Sequence, residues 1–185
     1  TRRALGGQER RREDQDLLAQ AGCRDLLTNA DLAAVIDTLL AREDTGGILM
    51  AAALTDFDAE RLVVGTVETE AFGLEQPRLE SAQPPEIAFQ TAPKLLPRIR
   101  QTRKDVFLVG FKRTSGAAAD AQYLKGLALL KGSSCNLVLA NDLVTRRNMV
   151  ITPEQARYHE TTDRFAALQG LAEMVALRSH LTFTR

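Results

Sequence analysis

Three stretches of the chain place polar or charged side chains directly after an apolar run that is typical of a buried strand. The three pairs are the run 48–54 with Asp56, the run 105–111 with the loop 112–116, and the run 136–141 with its own last residue, Asn141. In sheets of parallel strands, ligands bind beyond the carboxyl ends of the strands. These three strand ends are therefore the candidate chemistry of the chain.

The first strand end combines small side chains with one carboxylate. Ala51, Ala52 and Ala53 leave room for a flat ligand to approach the backbone. Asp56 can accept hydrogen bonds from a ligand hydroxyl or amino group, or help to hold a metal ion. The alternative is that the alanines pack against a helix and that Asp56 caps a turn, and spacing alone leaves both interpretations open.

The second strand end is rich in cations and hydroxyl groups. Lys112 and Arg113 precede Thr114, Ser115 and Gly116, and the pattern predicts a helix after them. Free N–H groups and the positive end of a helix dipole favour an anion such as phosphate at such a place. The stretch is neither a Walker loop nor a GxGxxG loop.

Two further cations and one amide complete the candidates. Lys125 and Lys131 lie on the helix predicted after the loop, and each is either a phosphate ligand or an ordinary surface residue. Asn141 either reads the polar edge of a base or amide, or caps a turn together with Asp142. The two histidines lack the spacing of metal ligands, and neither cysteine has a CxxC partner.

Length and composition exclude several classes of protein. The chain has 185 residues, with 24 Lys and Arg against 24 Asp and Glu. Balanced charge argues against a nucleic-acid binder, and no run reaches the roughly 18 apolar residues of a membrane span. Two cysteines do not indicate a disulfide scaffold. We therefore expect a cytoplasmic protein whose partners are neither nucleic acids nor membranes.

The apolar pattern alternates strands and helices. The predicted strands are 48–54, 61–67, 86–90, 105–111, 136–141 and 147–152, with an edge strand at 180–184. The predicted helices begin at Thr28 or Asn29, at 91–94 with Pro93 in the first turn, at 117 and at 162. Residues 152–155 have a capping-box sequence. The last helix, 162–178, is expected to pack through Phe165, Leu168, Ala172 and Val175.

This alternation predicts an α/β fold with three layers, in which helices cover both faces of a mostly parallel sheet. The polar, proline-containing stretch at 61–90 predicts an antiparallel flap. Residues 1–25 form a charged N-terminal segment, and residues 26–185 form the domain.

Four short motifs, taken in order, resemble those of the phosphopantothenoylcysteine synthetase (phosphopantothenate–cysteine ligase) domain of coenzyme A biosynthesis. They are MAAALTDF at 50–57, APKLL at 92–96, VGFKRT at 109–114 and VLAND at 138–142. The resemblance covers residues 26–178. In bacteria this domain is often fused behind a flavin-dependent decarboxylase.

The resemblance implies a Rossmann-like ligase. In the family, CTP or ATP activates the carboxylate of 4′-phosphopantothenate with the assistance of Mg²⁺, and an acyl-nucleotide forms as pyrophosphate leaves. The amine of cysteine then attacks to form an amide. The resemblance also implies a homodimer through the flap at 61–90 and a fused or associated flavin decarboxylase.

The resemblance assigns roles to particular residues. The nucleotide-binding residues would be Ala51, Ala52, Ala53, Asp56, Ala92, Pro93, Phe111, Lys125 and Lys131. Lys112 and Arg113 would bind phosphate, and Asn141 would be catalytic. Arg78 would stand in for a catalytic lysine that the family carries on a flexible loop. No residue is assigned as a metal ligand.

Two family features are missing from this sequence. The chain has neither the Gly-Gly-Thr turn nor the Ile-Thr-Asn-x-Ser-Ser-Gly segment, whose Asn handles the acyl intermediate, and it has no Lys between Asp56 and Glu86. We therefore expect either that upstream sequence carries these motifs or that the chain is a non-catalytic nucleotide-binding or assembly relative. A Rossmann-like oxidoreductase is disfavoured because GxGxxG is absent.

Overall fold

A computed structural model describes residues 12–65, 67–69 and 84–182. The strands are β1 Gly47–Met50, β2 Phe57–Val64, β3 Val67–Thr69, β4 Glu86–Thr91, β5 Phe107–Thr114, β6 Leu137–Asp142, β7 Asn148–Ile151 and β8 Arg157–Thr161. The helices are α1 at 12–20, α2 Asn29–Ala41, α3 Leu95–Thr102, α4 Ala119–Ser133 and α5 Arg164–Thr182.

The chain divides into two compact units. The main unit consists of Thr1–Ala52 and Leu95–Arg185, and the insert unit consists of Ala53–Lys94. The flap predicted at 61–90 falls within the insert unit. Arg78 lies outside the described residues.

The main unit contains a five-stranded sheet in the order β1-β5-β6-β7-β8. The strands β1, β5 and β6 run parallel, whereas β7 and β8 run antiparallel to their neighbours. The three parallel strands and the antiparallel insert confirm the predicted fold class.

Helices cover both faces of this sheet because β5 and β6 are apolar on both sides. Leu108 and Val138 face a core shared with α2, α3 and α4. Phe107 and Val109 face a second core, which α5 completes with Leu171. Successive side chains of a strand point to opposite faces, so a continuous apolar run gives the three predicted layers.

Two local features set the ends and packing of helices on one face. Of the two residues predicted to cap α2, Thr28 does so, and it forms a capping box with Asp31 that was not predicted. At Gly126 of α4, an added Cβ would lie only 2.4 Å from Cδ1 of Ile151 in β7. The missing side chain at Gly126 therefore lets α4 lie close against the sheet.

The insert unit is a three-stranded antiparallel sheet in the order β3-β2-β4. A bulge between Ala59 and Arg61 interrupts the β2–β4 pairing. On either side of it, Phe57 pairs with Thr91 and Ala59 pairs with Phe89. The antiparallel flap predicted from the sequence is confirmed in this part of the chain.

The first strand is shorter and less buried than predicted. β1 ends at Met50, so Ala51, Ala52 and Ala53 follow it as exposed chain without regular structure. β1 is the terminal strand of the sheet, and Leu49 is 52% exposed. An edge position explains why this apolar run is not buried on both faces.

Two proline-containing stretches differ from the prediction. The helix predicted at 91–94 begins at Leu95, so Pro97 rather than Pro93 lies in its first turn. The capping-box sequence at 152–155 begins no helix. It forms a turn in which the N–H of Gln155 donates to the carbonyl of Thr152 at 2.9 Å, because the following residues pair with β7 as the unpredicted strand β8.

The last helix packs mainly through a different stripe from the one predicted, although Val175 of the predicted stripe also packs against this core. Ala167, Leu171 and Met174 are buried, whereas Phe165 is 77% exposed. Both stripes are apolar at helical spacing, so periodicity alone does not choose between them. Residues 180–182 continue α5, so the predicted edge strand at 180–184 is wrong there, and 183–185 lie outside the described residues. Among the described residues, no helix meets the length and hydropathy needed to cross a bilayer.

Candidate functional site

The carboxyl ends of β5 and β6 lie side by side and sort their side chains onto two faces. The register pairs Arg113 with Asn141 and Lys112 with Ala140. Because side chains alternate along a strand, Arg113 and Asn141 share one face and Lys112 lies on the other. Phe111, which packs against the core of α5, is on the face of Arg113. The structure thus brings three predicted residues together on the α5 face and separates Lys112 from them.

The side chains of Arg113 and Asn141 have no partners among the described residues. Arg113 is exposed and Asn141 is partly buried. Neither side chain makes a hydrogen bond or ion pair with any residue in the described ranges. By contrast, Arg98 in α3 pairs with Asp37 at 2.6 Å. An unpaired guanidinium beside an unpaired amide can bind a phosphate or carboxylate together with a neighbouring polar oxygen.

Asp142 lies on the opposite face from Asn141, and its carboxylate is bound by the protein itself. The residue is only 3% exposed. Its oxygens accept six hydrogen bonds, from Thr114 Oγ1 at 2.8 Å, Gly116 N at 3.1 Å, Ala117 N at 2.9 Å, Val144 N at 3.0 Å, Thr145 N at 2.8 Å and Thr145 Oγ1 at 3.1 Å.

These hydrogen bonds favour the ionised form of Asp142. The backbone N–H of Thr145 has the largest effect in lowering the pKa of this carboxyl, with further lowering by Ala117 and Thr114. Burial opposes them by raising the pKa, and the net pKa lies far below the usual range of an aspartate. Asp142 is therefore a fixed internal anion at neutral pH.

The loop before α4 is consequently not the open phosphate cradle that its sequence indicates. The N–H groups of Gly116 and Ala117, which a bound phosphate would use, already donate to Asp142. Sequence reasoning missed this because the pairing of Asp142 with Thr114 across β5 and β6 follows from the strand register, which the sequence does not show. Anion binding by the side chains of Lys112 and Arg113 stays a prediction.

The lysines of α4 lie away from this strand edge. Lys131 is in the last turn of α4, roughly 18 Å along the helix axis from Ala119 at about 1.5 Å per residue. Lys125 lies about halfway along, roughly 9 Å from the same end by the same rise. The structure does not bring Lys131 to the edge that carries Arg113 and Asn141, and the nucleotide-binding roles of both lysines stay predictions.

In the insert unit, Asp56 comes together with the residues after β4. The N–H of Ala92 donates to the carbonyl of Asp56 at 3.0 Å, and Lys94 Nζ lies 2.5 Å from Asp56 Oδ1. Ala92 is buried, whereas Pro93 is exposed beside it. Sequence reasoning did not assign Lys94 a role, although it follows the Ala-Pro pair directly. Asp56 and Lys94 together offer a carboxylate and an ammonium group on one exposed surface.

The described residues do not fit a magnesium site built from protein ligands. Within 12–65, 67–69 and 84–182, no group of three or more His, Cys, Asp or Glu side chains could hold a metal ion. The buried carboxylate at the β6 end, Asp142, already accepts six hydrogen bonds from the protein. We therefore assign no chemical step to a bound metal.

Comparison with known proteins gives matches among solved structures only. No family model and no curated protein matches the chain. The crystal structure of the DNA/Pantothenate Metabolism Flavoprotein from Streptococcus pneumoniae matches with a TM-score of 0.62 and 18% identity, over 84% of this chain and 72% of that chain. A histidine-to-alanine variant of Cab2 matches with a TM-score of 0.53 and 20% identity, over 83% of this chain and 49% of that chain.

A second Cab2 structure also matches the chain. It is the same variant in complex with phosphopantothenate-cysteine, with a TM-score of 0.53 and 20% identity over 83% of this chain and 50% of that chain. The chain thus spans about half the length of the Cab2 chains. At these identities the likeness shows the fold, and at that level the resemblance predicted from the four motifs is confirmed.

Proposed function

We propose that this chain is a nucleotide-dependent ligase domain that forms the amide between 4′-phosphopantothenate and cysteine. The observation that carries the proposal is the unpaired Arg113 and Asn141 on neighbouring strand ends. Two further findings support it: the fold resembles that of a Cab2 variant in complex with phosphopantothenate-cysteine, and four sequence motifs resemble the corresponding ligase family.

The strand-end groups suit the two steps of such a reaction. In the first step, a carboxylate oxygen of phosphopantothenate attacks the α-phosphorus of the nucleotide and pyrophosphate leaves. In the second step, the amine of cysteine attacks the acyl carbon, the nucleoside monophosphate leaves, and the amine loses a proton. Arg113 binds a phosphate or carboxylate oxygen through its guanidinium fork, and the Asn141 amide donates to the acyl oxygen as negative charge develops on it.

The remaining assignments concern nucleotide binding. By the motif resemblance, Asp56 accepts hydrogen bonds from ribose hydroxyls and Phe111 contacts the nucleotide. Within the insert unit, Lys94 pairs with Asp56 and offsets its charge. Arg78 retains its proposed role as the loop cation. Either CTP or ATP satisfies these contacts, and Mg²⁺ enters with the nucleotide phosphates, which is its usual mode of binding.

The insert sheet supports the expectation of a homodimer. Phe57, Ile87 and Phe89 lie on one face of the β2–β4 pair, as their register shows. These side chains are 61%, 47% and 62% exposed. Exposed apolar clusters of this kind mark interaction surfaces, so we assign this face to contact between two copies. A flavin decarboxylase, fused or associated, remains the second partner that the motif resemblance implies.

A non-catalytic nucleotide-binding relative is the second candidate. It is favoured by one observation, the absence of the Ile-Thr-Asn-x-Ser-Ser-Gly segment from this sequence. Such a protein would bind the nucleotide at the same strand ends and would not turn it over.

Release of pyrophosphate by the purified full chain tests these candidates. We expect release to require phosphopantothenate, cysteine and either CTP or ATP together, with the amide product identified by mass spectrometry. Calorimetric titration with each nucleotide runs in parallel. Binding without release would favour the non-catalytic relative, and the absence of both would refute the nucleotide site.

A further inference from the structure

Asp142 joins two chain segments at the candidate site without facing the proposed ligand. Its Oδ1 accepts from the backbone of Gly116, Val144 and Thr145, and its Oδ2 accepts from Thr114 Oγ1 and Ala117 N. One carboxylate therefore fixes the loop 114–117 after β5 and the turn 143–145 after β6 in a single arrangement.

These contacts lie next to Arg113 and Asn141, the two residues to which the reaction is assigned. Thr114 and Asp142 form the last pair of the β5–β6 ladder, directly after the pair of Arg113 and Asn141. The Thr114 Oγ1–Asp142 Oδ2 hydrogen bond, 2.8 Å long, closes the ladder at that point. This hydrogen bond lies one residue beyond the pair of Arg113 and Asn141.

We propose that Asp142 is a positioning residue that holds Arg113 and Asn141 at the spacing their common ligand requires. The proposal deepens the function proposed above and rests on it for the identity of the ligand. The carboxylate acts from the opposite face of the sheet through the backbone, and it contacts neither substrate nor nucleotide.

A carboxylate is the side chain that this position needs. Six donors converge on Asp142, and an ionised carboxylate is the only short side chain that accepts on both oxygens without donating. In Asp142→Asn the NH₂ group would face N–H donors, so hydrogen bonds at one oxygen position are lost although the shape is kept. Loss of buried acceptors is costly because the donors are left unsatisfied.

The test compares Asp142→Asn with Asp163→Asn in the full chain. Asp163 is the control because it is a carboxylate that accepts backbone N–H groups, from Phe165 at 2.8 Å and from Ala166 at 3.3 Å, at the start of α5 rather than at the ends of β5 and β6. We expect Asp142→Asn to shift the NMR signals of the Asn141 side-chain amide and to weaken binding of CTP or ATP at least tenfold. Asp163→Asn should change the affinity less than twofold.

Thr114→Val serves as the second variant because it keeps the side-chain shape and removes the hydrogen bonds of Thr114 Oγ1 to Asp142 Oδ2 at 2.8 Å and to the Asn141 carbonyl at 3.4 Å. This variant is expected to shift the same Asn141 signals by a smaller amount. If Asp142→Asn does not fold, Thr114→Val still tests whether Asp142 positions Asn141. Unchanged Asn141 signals in the folded variant would overturn the proposal. If the wild type binds neither nucleotide, the proposed function fails, and the Asn141 signals still decide whether Asp142 positions that residue.

Discussion

Replacing Asn141 with alanine is expected to lower the rate of amide formation at least about 100-fold, the usual cost of removing one donor that stabilises developing oxyanion charge. The Asn141 side chain is the unpaired amide at the end of β6, and it lies beside Arg113 on the same face. Because it makes no hydrogen bond within the described part of the chain, its loss should leave Tm nearly unchanged. Steady-state rates with saturating nucleotide and thermal unfolding of the same preparation measure both effects.

Gln169→Ala is the control for the Asn141 substitution. Gln169 is an exposed amide on α5, and its Nε2 donates to Glu173 Oε1 at 3.2 Å. Its removal should leave the rate of amide formation within twofold of the wild type. An Asn141→Ala protein with a normal rate and a normal Tm would contradict the placement of the reacting acyl group at the β6 end.

Arg100→Ala is expected to cause a large loss of stability, about 3 kcal/mol in the free energy of unfolding, because hydrogen bonds from a charged group contribute more than neutral ones. The Arg100 guanidinium in α3 donates to the carbonyls of Lys104 at 2.6 Å, Val106 at 3.0 Å and Ser134 at 3.0 Å. It also donates to Asn136 Oδ1 at 2.7 Å. One side chain thus joins the loop before β5 to the loop before β6, and urea unfolding at pH 7 measures its contribution.

Arg98→Ala is the matched substitution on the same helix. Arg98 pairs with Asp37 at 2.6 Å, but the two side chains are 45% and 51% exposed. Exposed ion pairs contribute about 1 kcal/mol or less. Equal losses in the two variants would show that the contacts of Arg100 to the two loops contribute no more than a surface pair.

The predictable part of this fold is the part that is buried on both faces. The runs that form β5 and β6 are continuously apolar, and turn residues bound them. Both strands and the α4 crossover therefore follow from the sequence pattern. The run ending in Ala51 to Ala53 has the same composition, yet β1 stops at Met50 because it lies at the sheet edge. Sequence composition does not reveal which apolar strand will be the edge.

The details of the site depend on register, which one sequence does not specify. Asn141 and Asp142 form one motif in the sequence, and Lys112 and Arg113 form another. Pairing of β5 with β6 places Arg113 and Asn141 on one face and directs Asp142 to the loop before α4. The same limitation applies to α5, where two apolar stripes share the helical period and tertiary packing selected the one containing Leu171.

Exchange of labelled pyrophosphate into the nucleoside triphosphate, measured without cysteine, tests most directly whether these strand ends activate a carboxylate. We predict exchange into CTP or ATP that requires 4′-phosphopantothenate and that falls in Arg113→Ala, because the guanidinium binds a phosphate or carboxylate oxygen in this first step. Asn141→Ala should retain exchange, because negative charge develops on the acyl oxygen only when the amine of cysteine attacks. Exchange that is absent from the folded wild-type chain, or that proceeds without phosphopantothenate, would contradict this account.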